Sequence, residues 1–463
     1  MLTYTFDEAC GTPLYEQLYQ NIKRDIALGR LRAGEKLPSK RSLARHLQLG
    51  VVTVQNAYTQ LAVEGYIEPR ERSGYFVAEL DESLPPPEPA RRPHPAERRR
   101  EYLLDLKTNR IDAGNFPFSV WSRLMRRTLS ERSSLLLDPL PHSGASALRE
   151  AISGHLRRFR GMSVPPENII VAAGTDVLYN LIIQLLGHDL TYALEDPGYN
   201  KLGLVCRACG AKTAYIPLDS WGMNPRSLEE SGARAAHISP AHHYPTGIVM
   251  PVSRRRQLLS WAVRCGGYII EDDYDSEFRF TGRPIETVQS IDTSGRVIYM
   301  NTFSKSIAPS IRISYMALPD ELMAVFSKKL GFYSCTVPSF EQYTLAQFIS
   351  GGYFEQHLAR MKNHYKALRG QVIAAIDAMP FRRYLTISEQ HAGLHFLLRV
   401  NSPLSDGDLL ACAETLGVRI SCLSELTHRP EPRFEHTLIV NYSGVTPEQL
   451  ERFAGLIRSC EMK

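Results

Sequence analysis

Apolar residues recur at Leu14, Leu18, Ile22 and Ile26, one every four positions, which predicts a helix with a single apolar stripe. Thr12-Pro13 reads as its cap and first-turn proline, and Gly29 as its stop. Ser39 caps a second predicted helix that turns Leu43, Ala44 and Leu47 inward. After a break from Gln48 to Val52, a third helix carries Val54, Ala57, Tyr58 and Leu61 on its inner face and ends at Gly65. Ile67 to Val77 reads as two short strands around Arg70-Glu71-Arg72-Ser73-Gly74. From about Leu104 the pattern changes to short apolar strands alternating with helices, the signature of an α/β fold. Leu148 to Phe159 is an amphipathic helix, Ile169 to Ala173 a strand, and Val177 to Leu186 the helix that follows.

Three short helices and a basic hairpin make a winged helix-turn-helix, which expects double-stranded DNA as partner. The third helix would enter the major groove by its N-terminal end. Candidate contacts are Ser39, Lys40, Arg41, Arg45, Thr53, Gln55 and Asn56, with Arg70, Arg72 and Gly74 in the hairpin. A solvated helix face is the competing account of each.

At 463 residues the chain exceeds one ordinary domain. The expected division is 1–80 for DNA binding, 81–103 for a linker and 104–463 for an effector domain. The linker holds Pro85, Pro86, Pro87, Pro89, Pro93 and Pro95 among five arginines, an extended spacer. A net charge of +5 is mild and fits a local basic surface. No apolar run approaches the ~20 residues of a membrane span, and no signal-peptide pattern opens the chain, so the cytoplasm is expected. Cys206 and Cys209 form a C-x-x-C without a second pair, which completes no zinc site.

Two strands end in chemistry. Val297-Ile298-Tyr299 runs into Asn301-Thr302-Phe303-Ser304-Lys305. A lysine at the end of a buried strand is costly unless its charge is used or removed, and a Schiff base with an aldehyde removes it. Thr302, Ser304 and Arg312 are donors for a phosphate beside it. Upstream, Gly267-Tyr268-Ile269-Ile270 ends in Glu271-Asp272-Asp273-Tyr274-Asp275. A carboxylate there can keep a pyridine nitrogen protonated. A Mg²⁺ or Ca²⁺ site on the same carboxylates is the rival reading, but no further ligand motif accompanies it, and no metal is expected. Gly174-Thr175-Asp176 opens a helix whose N–H groups suit an anion.

With His242-His243-Tyr244-Pro245-Thr246-Gly247, these stretches resemble pyridoxal-phosphate enzymes of the aspartate aminotransferase fold. The wording Glu-Asp-Asp-Tyr-Asp-Ser-Glu-Phe and Thr-Phe-Ser-Lys-Ser-x-Ala-Pro-Ser-x-Arg is similar to the MocR/GabR subfamily of GntR regulators. Leu37-Pro38-Ser39-Lys40-Arg41 and Thr53-Val54-Gln55-Asn56-Ala57-Tyr58 resemble the GntR DNA-binding domain. The resemblance implies a large, mostly parallel sheet with helices on both faces and a small C-terminal α+β subdomain. It implies pyridoxal 5'-phosphate held as an internal aldimine on Lys305, with Asp272 on the ring nitrogen. Gly174, Thr175, Asp176, Thr302, Ser304 and Arg312 would surround the phosphate; Tyr199, His243 and Tyr274 would lie near the ring. It also implies a head-to-tail homodimer on paired half-sites, and a sensor in place of an enzyme, one that controls vitamin B6 synthesis as the PdxR-like members do. An active aminotransferase and an amino-acid-sensing regulator are the alternatives.

Three slots depart from the family pattern. Gly50-Val51-Val52 stands where Ser-Arg usually precedes Thr-Val. Tyr244 replaces the asparagine that bonds the ring hydroxyl. Ile439 takes the slot of the arginine that clamps a substrate carboxylate, and Arg399, Arg419 and Arg433 lie outside that motif.

Overall fold

A computed structural model describes residues 2–7, 11–79, 102–108, 113–131, 133–280, 285–379, 382–389, 393–446, 449 and 455–456. The chain divides into two compact units, Met1–Arg99 and Arg100–Lys463. Most of the expected linker, and the arginines and prolines that define it, lie outside the described residues.

In the first unit α1 (Leu14–Ala27), α2 (Lys40–Leu47) and α3 (Val51–Val63) pack through Leu18, Ile22, Leu43, Val54, Ala57, Tyr58 and Leu61. The hairpin of β1 (Ile67–Arg70) and β2 (Gly74–Val77) is antiparallel, with Ile67 opposite Val77. Two boundaries differ from the sequence reading. Pro13 itself is the N-cap of α1 and no side chain caps it, so Thr12 does not serve. Helix α3 starts at Val51 and takes in the last two residues of the expected break, because Gly50 takes the N-cap position in an extended conformation. Ser39 caps α2 as expected, accepting from Ser42 N at 3.2 Å.

The second unit is built on β3 (Leu104–Asp105), β4 (Ile169–Ala172), β5 (Thr191–Asp196), β6 (Lys212–Asp219), β7 (Gly222–Met223), β8 (Ala235–Ile238), β9 (Tyr268–Asp272), β10 (Val297–Thr302) and β11 (Ser314–Ala317). Eight of these strands form one sheet in the order β4-β11-β10-β9-β8-β5-β6-β7. β11 runs antiparallel to both neighbours, whereas β10, β9, β8, β5 and β6 are parallel. The central strands are buried on both faces, which explains their unbroken apolar runs. The C-terminal part adds β12 (Leu385–Ser388), β13 (His395–Val400), β14 (Val418–Arg419) and β15 (Thr437–Asn441). β12, β13 and β15 form a small antiparallel sheet, and β14 pairs with β3. The helix Tyr353–Asp377 buries Met361, Tyr365, Val372 and Ile376 in the core beneath it.

This topology fixes the position of the site. β4, β5, β8, β9 and β10 all end at one edge of the large sheet. Loops leaving the carboxyl ends of parallel strands line a crevice, and the polar residues that break each apolar run gather there.

Candidate functional site

The crevice is a cleft of about 310 Å³. Lys305 enters it from the single helical turn Phe303–Ser306 that follows β10. The side chain is half-buried, and desolvation pushes its ammonium below the usual range against the pull of Asp275 and Asp272. A depressed lysine is a better nucleophile toward a carbonyl.

Asp272 ends β9 and lines the same cleft. Its Oδ2 lies 3.6 Å from His237 Nε2, and its Oδ1 is buried without a partner. The other carboxylates of the acidic run diverge. Glu271 accepts from Val288 N and Gln289 N at 2.8 and 2.9 Å. Asp273 takes Arg160 at 2.6 Å and the Tyr299 hydroxyl at 2.7 Å. Asp275 takes His242 Nδ1 at 2.9 Å. The run therefore does not converge on one ion. Among the described residues, ligand atoms of metal-binding type do come within 4.8 Å of one another at His242, Asp275 and His395.

The phosphate candidates lie at one end of the cleft. The helix Thr175–Leu186 starts two residues before the sequence reading placed it, with Gly174 as N-cap at φ 101°. A Cβ at Gly174 would collide with the Arg312 guanidinium, so glycine leaves room for that cation. Thr175, Asp176, Ser304 and Arg312 line the cleft, and Ser304 Oγ is buried and unpartnered. Thr302 also lines it, but its hydroxyl is committed. It donates to Ile313 O and accepts from Ser314 Oγ and Ser304 N. Thr302 caps the lysine's turn, so it is no free phosphate donor.

Tyr199, Tyr244, His243 and Tyr274 line the remainder. Tyr199 stands edge-on to Tyr244, with ring centroids 6.2 Å apart. His243 Nδ1 is 2.7 Å from Thr246 Oγ1, and burial pushes the imidazole down to about 3. The neutral ring keeps Nε2 buried and without a hydrogen bond. Sequence reading passed over Glu195, His237, Lys201, Lys107 and Asn441, which line the cleft too. Glu195 and His237 are lone polar residues inside apolar strand runs, a signal that was readable. Lys107 and Asn441 come from the small subdomain side and carried none.

Ile439 is fully buried in a small apolar cluster with Leu397 and Leu423. Arg399 is exposed, Arg419 pairs with Asp105 and Arg433 with Glu431; none lines the cleft. Arg312 is the arginine that does, among the described residues.

In the first unit Arg41, Arg45, Gln55, Asn56, Arg70, Arg72 and Gly74 are exposed, and Lys40 and Thr53 are half-buried. Ser39 uses its hydroxyl as the α2 cap. Arg70 stacks on Phe76 and Lys40 sits over Tyr75, 4.5 and 5.5 Å from the ring centres. Val51 and Val52 are 45 % and 70 % exposed in the first turn of α3.

Known proteins agree with both units. The model of bacterial regulatory proteins of the gntR family matches residues 14–77, and that of class I and II aminotransferases matches residues 103–457. The chain is 35% identical to the uncharacterised HTH-type transcriptional regulator YdeL of Bacillus subtilis, over 97% of each. It is 31% identical to the probable rhizopine catabolism regulatory protein MocR of Rhizobium meliloti, over 98% of this chain and 94% of that one. It is 30% identical to the HTH-type pyridoxine biosynthesis transcriptional regulator PdxR of Corynebacterium glutamicum, over 85% and 84%. The kynurenine aminotransferase of Pyrococcus horikoshii superposes with a TM-score of 0.68 at 24% identity, covering 77% of this chain and 91% of its own. That likeness concerns the fold. The chain belongs to the MocR subfamily of GntR-type helix-turn-helix transcriptional regulators, in which the DNA-binding domain is joined to a domain of the class I and II aminotransferase fold.

Proposed function

We propose that this regulator holds pyridoxal 5'-phosphate through a Schiff base to Lys305 and changes its grip on DNA with the occupancy of that site. The observation that carries the reading is a set of unpartnered buried atoms around one lysine: Asp272 Oδ1, Ser304 Oγ and His243 Nε2. An orphaned buried polar atom is costly, and three in one cleft indicate a polar ligand. Their chemistry suits the parts of this cofactor: a carboxylate for a pyridinium nitrogen, a hydroxyl that with Arg312 lines the cleft for a phosphate, and Tyr274 with His243 for the ring oxygen. When bound, the cofactor supplies an aldehyde and an electron-withdrawing ring. The chain's own part is to keep Lys305 nucleophilic and to present the Asp272 carboxylate to the ring.

The role is sensing in place of turnover. A substrate carboxylate needs a paired cation, and Ile439 provides none. The relative described as a pyridoxine biosynthesis regulator supports cofactor supply as the signal and vitamin B6 synthesis as the controlled pathway. A two-fold homodimer, head to tail, would set two DNA-binding units on paired half-sites in the cytoplasm. No helix of the described residues is long and apolar enough to cross a membrane. An active aminotransferase is the second reading, favoured by Lys305 and Asp272 standing together.

The deciding experiment measures operator affinity with pyridoxal phosphate alone, then with a panel of amino acids added. The proposal expects the cofactor to move affinity several-fold. It fails if the cofactor leaves affinity unchanged and one amino acid shifts it. Steady conversion of an amino acid to its keto acid would establish the second reading.

A further inference from the structure

The phosphate end of the cleft already contains an anion. Asp176 sits in the first turn of the helix Thr175–Leu186, and two cations converge on one of its oxygens. Lys201 Nζ is 2.5 Å and Arg312 Nη2 is 3.5 Å from Asp176 Oδ2. Burial pushes this carboxyl up. The Lys201 hydrogen bond and the charges of Lys201 and Arg312 outweigh that push, and the net shift is downward.

A first-turn aspartate stabilises a helix N-terminus without help, so the helix alone does not account for the two cations. Arg312 precedes β11, the strand paired with β4, and its Nη2 also donates to Ala173 O at 3.3 Å. It stands in a left-handed backbone conformation at φ 51°, and its guanidinium lies against Gly174, where any Cβ would collide with it. Ser304, which lines the same cleft, has its Oγ buried and unpartnered. The cup thus offers helix N–H groups, a hydroxyl and two cations, with both cations engaged by a carboxylate of the chain itself.

Resting on the cofactor reading above, we propose that Asp176 is a built-in competitor that contends with the ligand's phosphate for Lys201 and Arg312. A dianionic phosphate placed on those cations lies beside a retained negative charge. The consequence is a site that loads and unloads with the free ligand, as a sensor requires, and does not hold its cofactor permanently. Lys201 becomes a phosphate ligand once the phosphate displaces the carboxylate. All three side chains are partly exposed, so salt screens the effect.

The test measures the dissociation constant of pyridoxal phosphate, at low salt, from the visible band of the full chain. Asp176→Asn is expected to tighten binding about tenfold, which is about 1.4 kcal/mol, and to leave the band position unchanged. Inorganic phosphate, read by thermal shift, should tighten in parallel, whereas pyridoxal, which lacks the phosphate, should not respond. Asp176→Glu should stay as weak as the wild type, and Lys201→Met should weaken phosphate binding. The proposal is overturned if Asn leaves both affinities unchanged or lowers them, or if Asn and Glu behave alike. If the wild type gives no Lys305-dependent band, the cofactor reading fails on its own, and the inorganic phosphate arm still decides the role of Asp176.

Discussion

The Nε2 of His243 lies 3.4 Å from the Oε2 of Glu195, yet the two do not form an ion pair. Burial pushes Glu195 up to about 8 and His243 down to about 3, so both are neutral near pH 7. Glu195 accepts from Ser239 N at 3.0 Å, and its other oxygen is buried and unpartnered in the cleft wall.

That relationship predicts how stability depends on pH. Between its ordinary 4.5 and about 8, Glu195 keeps a proton in the folded chain that the unfolded chain has released. Stability therefore falls as pH rises through that range. Glu271 and Glu277, both pushed up to about 7 by burial, act in the same direction. His243 acts oppositely, but only below its ordinary 6.5. Between pH 6.5 and 8.5 the carboxyl contribution stands clear of the histidine one. The depressed Lys305 opposes it, so the difference between variants is the cleaner readout. The melting temperature of the wild type should fall relative to Glu195→Gln over this window. Parallel curves for the two proteins would show that Glu195 is already ionised.

A second prediction concerns the covalent link. Loaded with pyridoxal phosphate, the chain should absorb in the visible and lose the band on borohydride reduction. Lys305→Ala should abolish the adduct. Asp272→Asn keeps the lysine but removes the carboxylate proposed to face the ring nitrogen, so it should bind the cofactor more weakly with a shifted band. An unchanged spectrum in Lys305→Ala sinks the assignment.

The DNA-binding unit makes a third, through Arg41 on α2 and Val52 on α3. Arg41 is exposed, and no carboxylate pairs with it among the described residues. If it contacts a phosphate, Arg41→Ala lowers the salt slope of DNA binding by about one unit. Val52 is apolar, 70 % exposed and in the first turn of α3. Its available partner in a major groove is a thymine methyl. Val52→Ala should weaken operator binding at an unchanged salt slope, and uracil for thymine at the contacted step should have the same effect. A change in slope with Val52→Ala contradicts that role.

Much of this arrangement was legible in the sequence because it rests on local rules. The strand-to-turn breaks at Asp272 and Thr302 follow from apolar runs ending in polar residues, and they mark the sheet edge where the cleft lies. The Ser39 cap and the Gly74 turn, at φ 110°, are equally local. What stayed hidden depends on contacts distant in sequence. Thr302 reads as a phosphate donor until Ser314, brought alongside by β11, donates to its hydroxyl. Lys107 is an ordinary surface lysine until Asn441 Nδ2 bonds the Leu106 and Lys107 carbonyls at 3.0 and 3.2 Å and brings that segment to the cleft. Lys201 gains meaning only from Asp176, on a different helix.

Ile439 and Asn441 supply the last prediction. They lie two residues apart on β15, and side chains at that spacing project to the same face of a strand. Asn441 reaches the cleft, but Ile439 stops short of it, buried against Leu397 and Leu423, with Tyr244 and Leu426 packed over the cluster. Ile439 therefore packs behind Tyr244 and Leu426, which line the cleft, and does not line it itself. Ile439→Ala should cost about 2–5 kcal/mol of stability through the cavity it leaves. The dissociation constant of pyridoxal phosphate should stay within a few-fold, and no amino-acid response should appear. Ile439→Arg should be worse, because a guanidinium buried among leucines has no partner and costs roughly 3–5 kcal/mol. Urea unfolding of the apo chain measures the first effect, and cofactor titration of the same variants measures the second. A tenfold or larger change in cofactor affinity for Ile439→Ala, with the fold intact, would place this residue in the ligand site and restore an amino acid as the expected effector.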